Sequence, residues 1–148
     1  MTTMDRPVHL MYIEDDDNHA RIVEEAAGES LLIDSIIRFR DAESALEYFE
    51  RHTLYDNEER MPDVILLDLR LPRMSGYDFL RTIKTDPVFC KIPVVVLSAT
   101  HDDRTIAEAY KHGAAGYITK PNDYTQLLIK LAEFSSYWTL TSEVPVCT

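Results

Sequence analysis

Val64-Ile65-Leu66-Leu67-Asp68-Leu69-Arg70-Leu71-Pro72-Arg73-Met74-Ser75-Gly76 is the stretch whose reading decides the fold. It opens on four apolar residues, with branched aliphatic side chains that suit a pleat. A short apolar run of this kind reads as a strand buried on both faces. The run stops on a carboxylate, Asp68. Pro72 then removes a ladder donor, and Ser75-Gly76 starts a new element. Ser75 followed by Asp78 is a capping-box pattern, so a helix is expected next. An acid at the C-terminal tip of a buried strand lies where open α/β sheets keep their chemistry. An ordinary strand that happens to end in Asp would look the same within this segment, so the rest of the chain has to decide.

Outward from that stretch, the pattern repeats. Val8–Ile13 is an apolar strand running into Glu14-Asp15-Asp16-Asp17. Ile22, Val23, Ala26 and Ala27 fall on one helical face, with Asp17 as a candidate cap and Gly28 as the stop. Ser35–Phe39 is a second strand, and Asp41 can cap a helix carrying Ala42, Ala45, Leu46 and Phe49. Arg51–Met61 is polar and reads as the longest connection. After the central strand, Phe79, Leu80 and Ile83 face inward on a helix that Asp86-Pro87 ends. Pro93–Leu97 is a strand leading to Ser98-Ala99-Thr100. Asp102–His112 is a helix closed by Gly113, and Gly116–Thr119 is a strand ending at Lys120-Pro121. Tyr124, Leu127, Leu128, Leu131 and Phe134 stripe a last helix.

Five strand–helix units of this length predict an α/β fold, a (βα)5 parallel sheet with right-handed crossovers and helices on both faces. The sheet then delivers Glu14, Asp15, Asp68, Ser98 and Lys120 to one edge. Clustered carboxylates repel unless a cation joins them, and a few hard oxygen ligands with room for water suit Mg2+. A carboxylate beside Mg2+ can attack phosphorus to form an acyl phosphate. The metal, a Lys ammonium and a hydroxyl would then each take one phosphoryl oxygen. Acids and lysines also flank strands merely for solubility, but such residues at four strand ends together fill every role this chemistry requires.

Composition bounds the alternatives. The chain has 148 residues, 45% of them hydrophobic and only four of them glycine, which suits one globular domain. Its formal net charge of −11 argues against nucleic acid and against anionic membrane surfaces. No run approaches a membrane span or a signal peptide, so a cytoplasmic protein is expected. Cys90 and Cys147 form neither a metal spacing nor a disulfide framework, which fits a reducing compartment. The acidic run is no calcium hand, because the alternating ligands and turn glycine are missing. Asp16 and Asp17 read as loop-solvating residues, and the histidines as surface or packing residues.

The sequence resembles the receiver domain of two-component response regulators. The matching residues are Ile13-Glu14-Asp15, Leu67-Asp68-Leu69 with Pro72 and Met74-Ser75-Gly76, Leu97-Ser98-Ala99, and Gly116-Tyr117-Ile118 before Lys120-Pro121. The spacings from Asp68 to Ser98 and from Ser98 to Lys120 agree with that family, and the match covers roughly Val8 to Phe134. The resemblance implies a flavodoxin-like receiver fold of strand order 2-1-3-4-5. It implies that Asp68 accepts a phosphoryl group from a sensor histidine kinase. Glu14 and Asp15 would hold Mg2+ with Asp68 and the backbone carbonyl of Arg70, Asp15 being favoured as the direct ligand. Ser98 would be the switch hydroxyl, Lys120 the phosphate-binding lysine and Tyr117 the switch aromatic, with a cis bond at Lys120-Pro121. Such a domain turns over no substrate beyond its own phosphorylation and dephosphorylation.

Two departures stand out. Asp15 and Asp68 lie farther apart than is usual, with the excess assigned to Arg51–Met61. The chain also continues past the last helix through Tyr137-Trp138. The expected organisation is a receiver at residues 5–135 and an extension at 136–148, without an output domain. The long loop and aromatic tail are similar to small regulators paired with bacterial phytochrome kinases, and the tail aromatics suggest a homodimer. A haloacid-dehalogenase-type hydrolase is the rival enzyme, but it wants a second aspartate where Arg70 stands. A degenerate, unphosphorylated receiver is the other rival, against which all five site positions are filled.

Overall fold

The central apolar run is a strand, Val64–Asp68, with all five residues buried. The computed structural model describes residues 8–55, 61–120 and 123–136, and side chains over 8–51, 61–120 and 123–134. In chain order the elements are β1 (Val8–Ile13), α1 (Asp17–Glu29), β2 (Ile33–Phe39), α2 (Ala42–Tyr55), β3 (Val64–Asp68), α3 (Gly76–Lys84), β4 (Val94–Ser98), α4 (Asp103–Lys111), β5 (Gly116–Thr119) and α5 (Tyr124–Ser136). The strands form one parallel sheet in the order β2-β1-β3-β4-β5. The expected α/β class and strand order are both found.

Side-chain alternation sorts the sheet into two cores. Met11, Ile13, Ile65, Leu67, Val94 and Val96 point to one face, where Phe49 of α2, Phe79, Leu80 and Ile83 of α3 and Ala109 of α4 cover them. Leu10, Tyr12, Val64, Leu66, Val95 and Leu97 point to the other, under Val23 of α1 and Leu127, Leu128 and Leu131 of α5. Neighbours in β1, β3 and β4 are therefore apolar in succession, because each face needs its own layer.

Several boundaries differ from the sequence expectation, each for a local reason. Asp16, not Asp17, caps α1, accepting from the backbone N–H groups of Asn18 and His19. Gly28 does not stop that helix, which runs to Glu29 and closes at Ser30. Glycine is tolerated in a last turn, and nothing nearby forces the left-handed conformation there. Ile22, expected on the inward face, is 42% exposed. β2 starts at Ile33 rather than Ser35, since Leu32 and Ile33 join the edge opposite Val8. α2 extends to Tyr55, so half of the expected Arg51–Met61 connection is helix, and residues 56–60 lie outside the described set. α3 ends at Lys84 with Thr85 as its cap, ahead of Asp86-Pro87. A short 3₁₀ turn, Phe89–Lys91, follows; its one-turn length left no periodicity to read. Cys90, expected to be a reduced thiol, is disulfide-bonded. Linear spacing says nothing of which sulfurs a fold brings together. The expected cis bond before Pro121 also falls outside the described residues, as do Tyr137 and Trp138.

Candidate functional site

Parallel strands end together, so their C-terminal residues meet along one edge. In register, Asp68 lies opposite Leu97 and Ser98 lies opposite Thr119. The Lys120 amide then donates to the Ser98 carbonyl at 2.7 Å, carrying the β4–β5 ladder one residue further. Glu14 follows β1 directly and donates its amide to the Phe39 carbonyl at 3.0 Å. The backbone alone thus converges Glu14, Asp68, Ser98 and Lys120, and the side chains complete the site.

Glu14, Asp68 and Ser98 are the buried polar residues among those described. Carboxylate oxygens of Glu14, Asp15 and Asp68 lie within 4.8 Å of one another, with Asp15 at the exposed mouth. Lys120 Nζ donates to Asp68 Oδ2 at 2.9 Å and lies 3.2 Å from Glu14 Oε1. The Arg70 amide donates to Asp68 Oδ1 at 2.8 Å, so both Asp68 oxygens are held. Gly76 makes this loop possible. A Cβ there would stand 2.7 Å from both the Asp68 carbonyl oxygen and Leu69 Cα, so only glycine lets α3 begin this close to β3. Ser75 caps α3 by accepting from the Asp78 amide, as the sequence pattern indicated.

Electrostatics follow from this crowding. Burial, and after it the neighbouring Asp68 carboxyl, holds the Glu14 carboxyl up at about 7. Burial would lower the Lys120 ammonium, but the Asp68 and Glu14 carboxyls outweigh it and raise that group above its ordinary value. Tyr12 OH donates to Glu14 Oε1 at 3.0 Å, and burial pushes that phenol upward. Three acids share one ammonium, so negative charge is left uncompensated, which is a setting that favours a cation.

On the β4 side, Ser98 Oγ accepts from the Thr100 amide at 3.3 Å. Tyr117 OH donates to the Thr100 carbonyl at 2.6 Å, tying the aromatic of β5 to the β4–α4 loop. Every residue proposed from sequence therefore lies on this edge. Sequence reasoning missed three others. Arg38, at the end of β2, places Nε and Nη2 3.1 and 2.8 Å from the Glu14 carbonyl oxygen and pairs with Asp17 at 3.0 Å. Tyr12 braces Glu14 from below. His19 brings Nδ1 within 3.1 Å of Lys120 Nζ. The two-residue strand spacing already puts Tyr12 and Glu14 on one face, a signal that could have found that contact. The Arg38 and His19 contacts join residues that only the sheet and the first helical turn bring together.

Comparison with known proteins agrees with this geometry. The family model described as "Response regulator receiver domain" matches residues 10–132. The chain is 31% identical over 139 residues to the response regulator Rcp1 of Synechocystis sp., covering 94% of each. The structure resembles that of the phosphorylated cyanobacterial phytochrome response regulator RcpA with a TM-score of 0.75, at 33% identity over 94% of this chain and 99% of that one. It resembles the Mn2+-bound form of Rcp1 with a TM-score of 0.71, at 32% identity and the same coverage. The bacteriophytochrome response regulator RtBRR aligns with a TM-score of 0.74, at 29% identity over 94% of this chain and 84% of that one. The chain belongs to the response regulator receiver domains, the phosphate-accepting signalling modules of two-component systems.

Proposed function

We propose that Asp68 is the residue that takes the phosphoryl group. The observation that carries this reading is the Asp68 carboxylate itself: 4% exposed, held by Lys120 Nζ at 2.9 Å, and grouped with Glu14 and Asp15. One Asp68 oxygen attacks the phosphorus of a phosphohistidine. The P–N bond breaks, an acyl phosphate forms, and the imidazole departs with a proton from solvent. Lys120 then neutralises a phosphoryl oxygen, and Ser98 donates its hydroxyl to another.

Glu14, Asp15, Asp68 and the Arg70 carbonyl would hold Mg2+, the hard cation that an oxygen-only set with space for water favours, and the bound ion supplies positive charge to the transferring group. The Mn2+-bound form of the relative Rcp1 supports a divalent ion here. With Ser98 drawn toward the phosphoryl group, the Thr100 loop moves and Tyr117 turns inward, two arrangements of one packed region biased by a local charge. The chain thus catalyses only its own phosphorylation and dephosphorylation.

The donor we infer is a sensor histidine kinase of the bacteriophytochrome type, a reading supported by the names of the relatives RcpA and RtBRR. Such a partner supplies phosphohistidine made with ATP, which sets the reaction in the cytoplasm. We take residues 5–135 as the receiver and 136–148 as an extension that joins two copies into a homodimer.

Incubation with acetyl phosphate and Mg2+ should add one phosphate by intact mass. Asp68→Asn should abolish it, and so should a chelator; uptake surviving in Asp68→Asn would refute the assignment. Sedimentation of the full chain against one ending after Ser135 tests the homodimer, since a dimer unchanged by truncation places the contact elsewhere.

A further inference from the structure

Lys120 carries three ammonium protons and finds three acceptors: Asp68 Oδ2 at 2.9 Å, Glu14 Oε1 at 3.2 Å and His19 Nδ1 at 3.1 Å. Two of these are the acids of the phosphoryl site, and their oxygens change partners as the reaction proceeds. His19 is different. It belongs to the first turn of α1, and its backbone amide is fixed by a 3.1 Å bond to the capping Asp16. An ammonium has no lone pair, so Nδ1 must be the acceptor and the ring proton sits on Nε2. The same nitrogen lies 3.8 Å from Glu14 Oε1, so that ring edge faces the site while the side chain as a whole is 39% exposed at the rim.

We infer that His19 is a positioning residue for phosphoryl transfer, a neutral tether that keeps Lys120 Nζ aimed at the oxygens of the incoming phosphoryl group. The inference rests on Asp68 being the acceptor. A long lysine stem has many rotamers, and an ammonium already in place does not have to be ordered in the transition state. Once Asp68 carries the phosphoryl group as an acyl phosphate, the carboxylate contact is lost, whereas the His19 contact persists because nothing in the reaction consumes it. Among the described residues, the other side chains that hold Nζ, Asp68 and Glu14, are both carboxylates.

The test uses the full chain with acetyl phosphate and Mg2+, comparing initial phosphorylation rates of wild type, His19→Leu and His19→Asn. Leu keeps bulk but offers no acceptor, whereas the Asn carbonyl can stand near the position of Nδ1. His19→Leu should react about three- to tenfold more slowly, the effect of one lost hydrogen bond, and His19→Asn should regain most of that loss. The Lys120 ammonium resonance, followed by nitrogen-15 NMR, should shift and broaden in His19→Leu and recover in His19→Asn. A merely structural role for His19 would leave that signal alone. Wild-type rate in His19→Leu, or equal slowing in both variants, overturns the inference. Failure of the wild type itself to take up phosphate would instead remove the acceptor reading beneath it.

Discussion

A methyl group added at Gly76 would meet the Asp68 carbonyl oxygen and Leu69 Cα, both backbone atoms that cannot rotate away. Gly76→Ala should therefore shift the β3–α3 loop and cost about 1–3 kcal/mol of stability, with the Asp68 and Arg70 amides moving most in an NMR spectrum. The arginines at the end of β2 make a second contrast. Arg38 is 18% exposed on its side chain and grips the Glu14 carbonyl through two nitrogens, whereas Arg40 is 61% exposed and, among the described residues, pairs with the equally open Asp17. Charge-assisted bonds to a partly buried carbonyl are worth more than a solvent-screened ion pair. Urea unfolding should show Arg38→Met losing about 1–3 kcal/mol and Arg40→Met close to unchanged; equal losses would show that the carbonyl contact adds nothing.

At the scale of elements, β3 presents adjacent residues to opposite cores. Leu66 packs under α1 and α5, and Leu67 under α2 and α3. Leu66→Ala and Leu67→Ala should each cost about 2–5 kcal/mol, which a sheet with one solvated face could not show for neighbouring positions. The end of α3 is pinned differently. Lys84 Nζ donates to the Cys90 and Ile92 carbonyls at 3.0 and 2.6 Å, holding the helix to the turn before β4. Burial lowers this ammonium from 10.5 to about 8. Between those two values the folded chain binds fewer protons than the unfolded chain at this group. Stability from this group therefore rises with pH across that window, because the cost of a buried charge is relieved as Lys84 deprotonates. The urea midpoint of wild type relative to Lys84→Met should climb from pH 8 toward pH 10.5; a flat difference would mean that Lys84 is not desolvated as its contacts imply.

For the molecule as a whole, 26 acidic residues stand against 15 basic ones. Three of the acids converge at one edge, and the charge on the remainder is spread over the surface. Self-repulsion of this size weakens the compact state at low ionic strength. Added monovalent salt, from about 10 mM to 0.2 M, should raise the melting temperature by a few degrees. Mg2+ at far lower ionic strength should do more, because it binds the folded acids specifically. Equal effects of the two salts would argue against a built cation site.

Much of this protein could be read before any coordinates. Apolar runs ending in Glu14, Asp68, Ser98 and Lys120, separated by helical periodicities, required a parallel sheet, and a parallel sheet lines up its strand ends. The site's main members followed from the period of the pattern alone, since periodicity is local and survives in one dimension. What remained hidden depended on contacts between distant residues or on local choices of nearly equal energy. Asp16 rather than Asp17 caps α1 because its side chain reaches two amides at once, a matter of fractions of a turn. Residues of α2 read as polar loop because their helix has only one side against the core. Arg38 reads simply as a strand residue and His19 as a surface or packing histidine, because the site partners of both lie far away in sequence. Only the packed sheet brings β2 beside the end of β1, and α1 beside Lys120. Those two adjacencies turn an ordinary arginine and histidine into supports of the site.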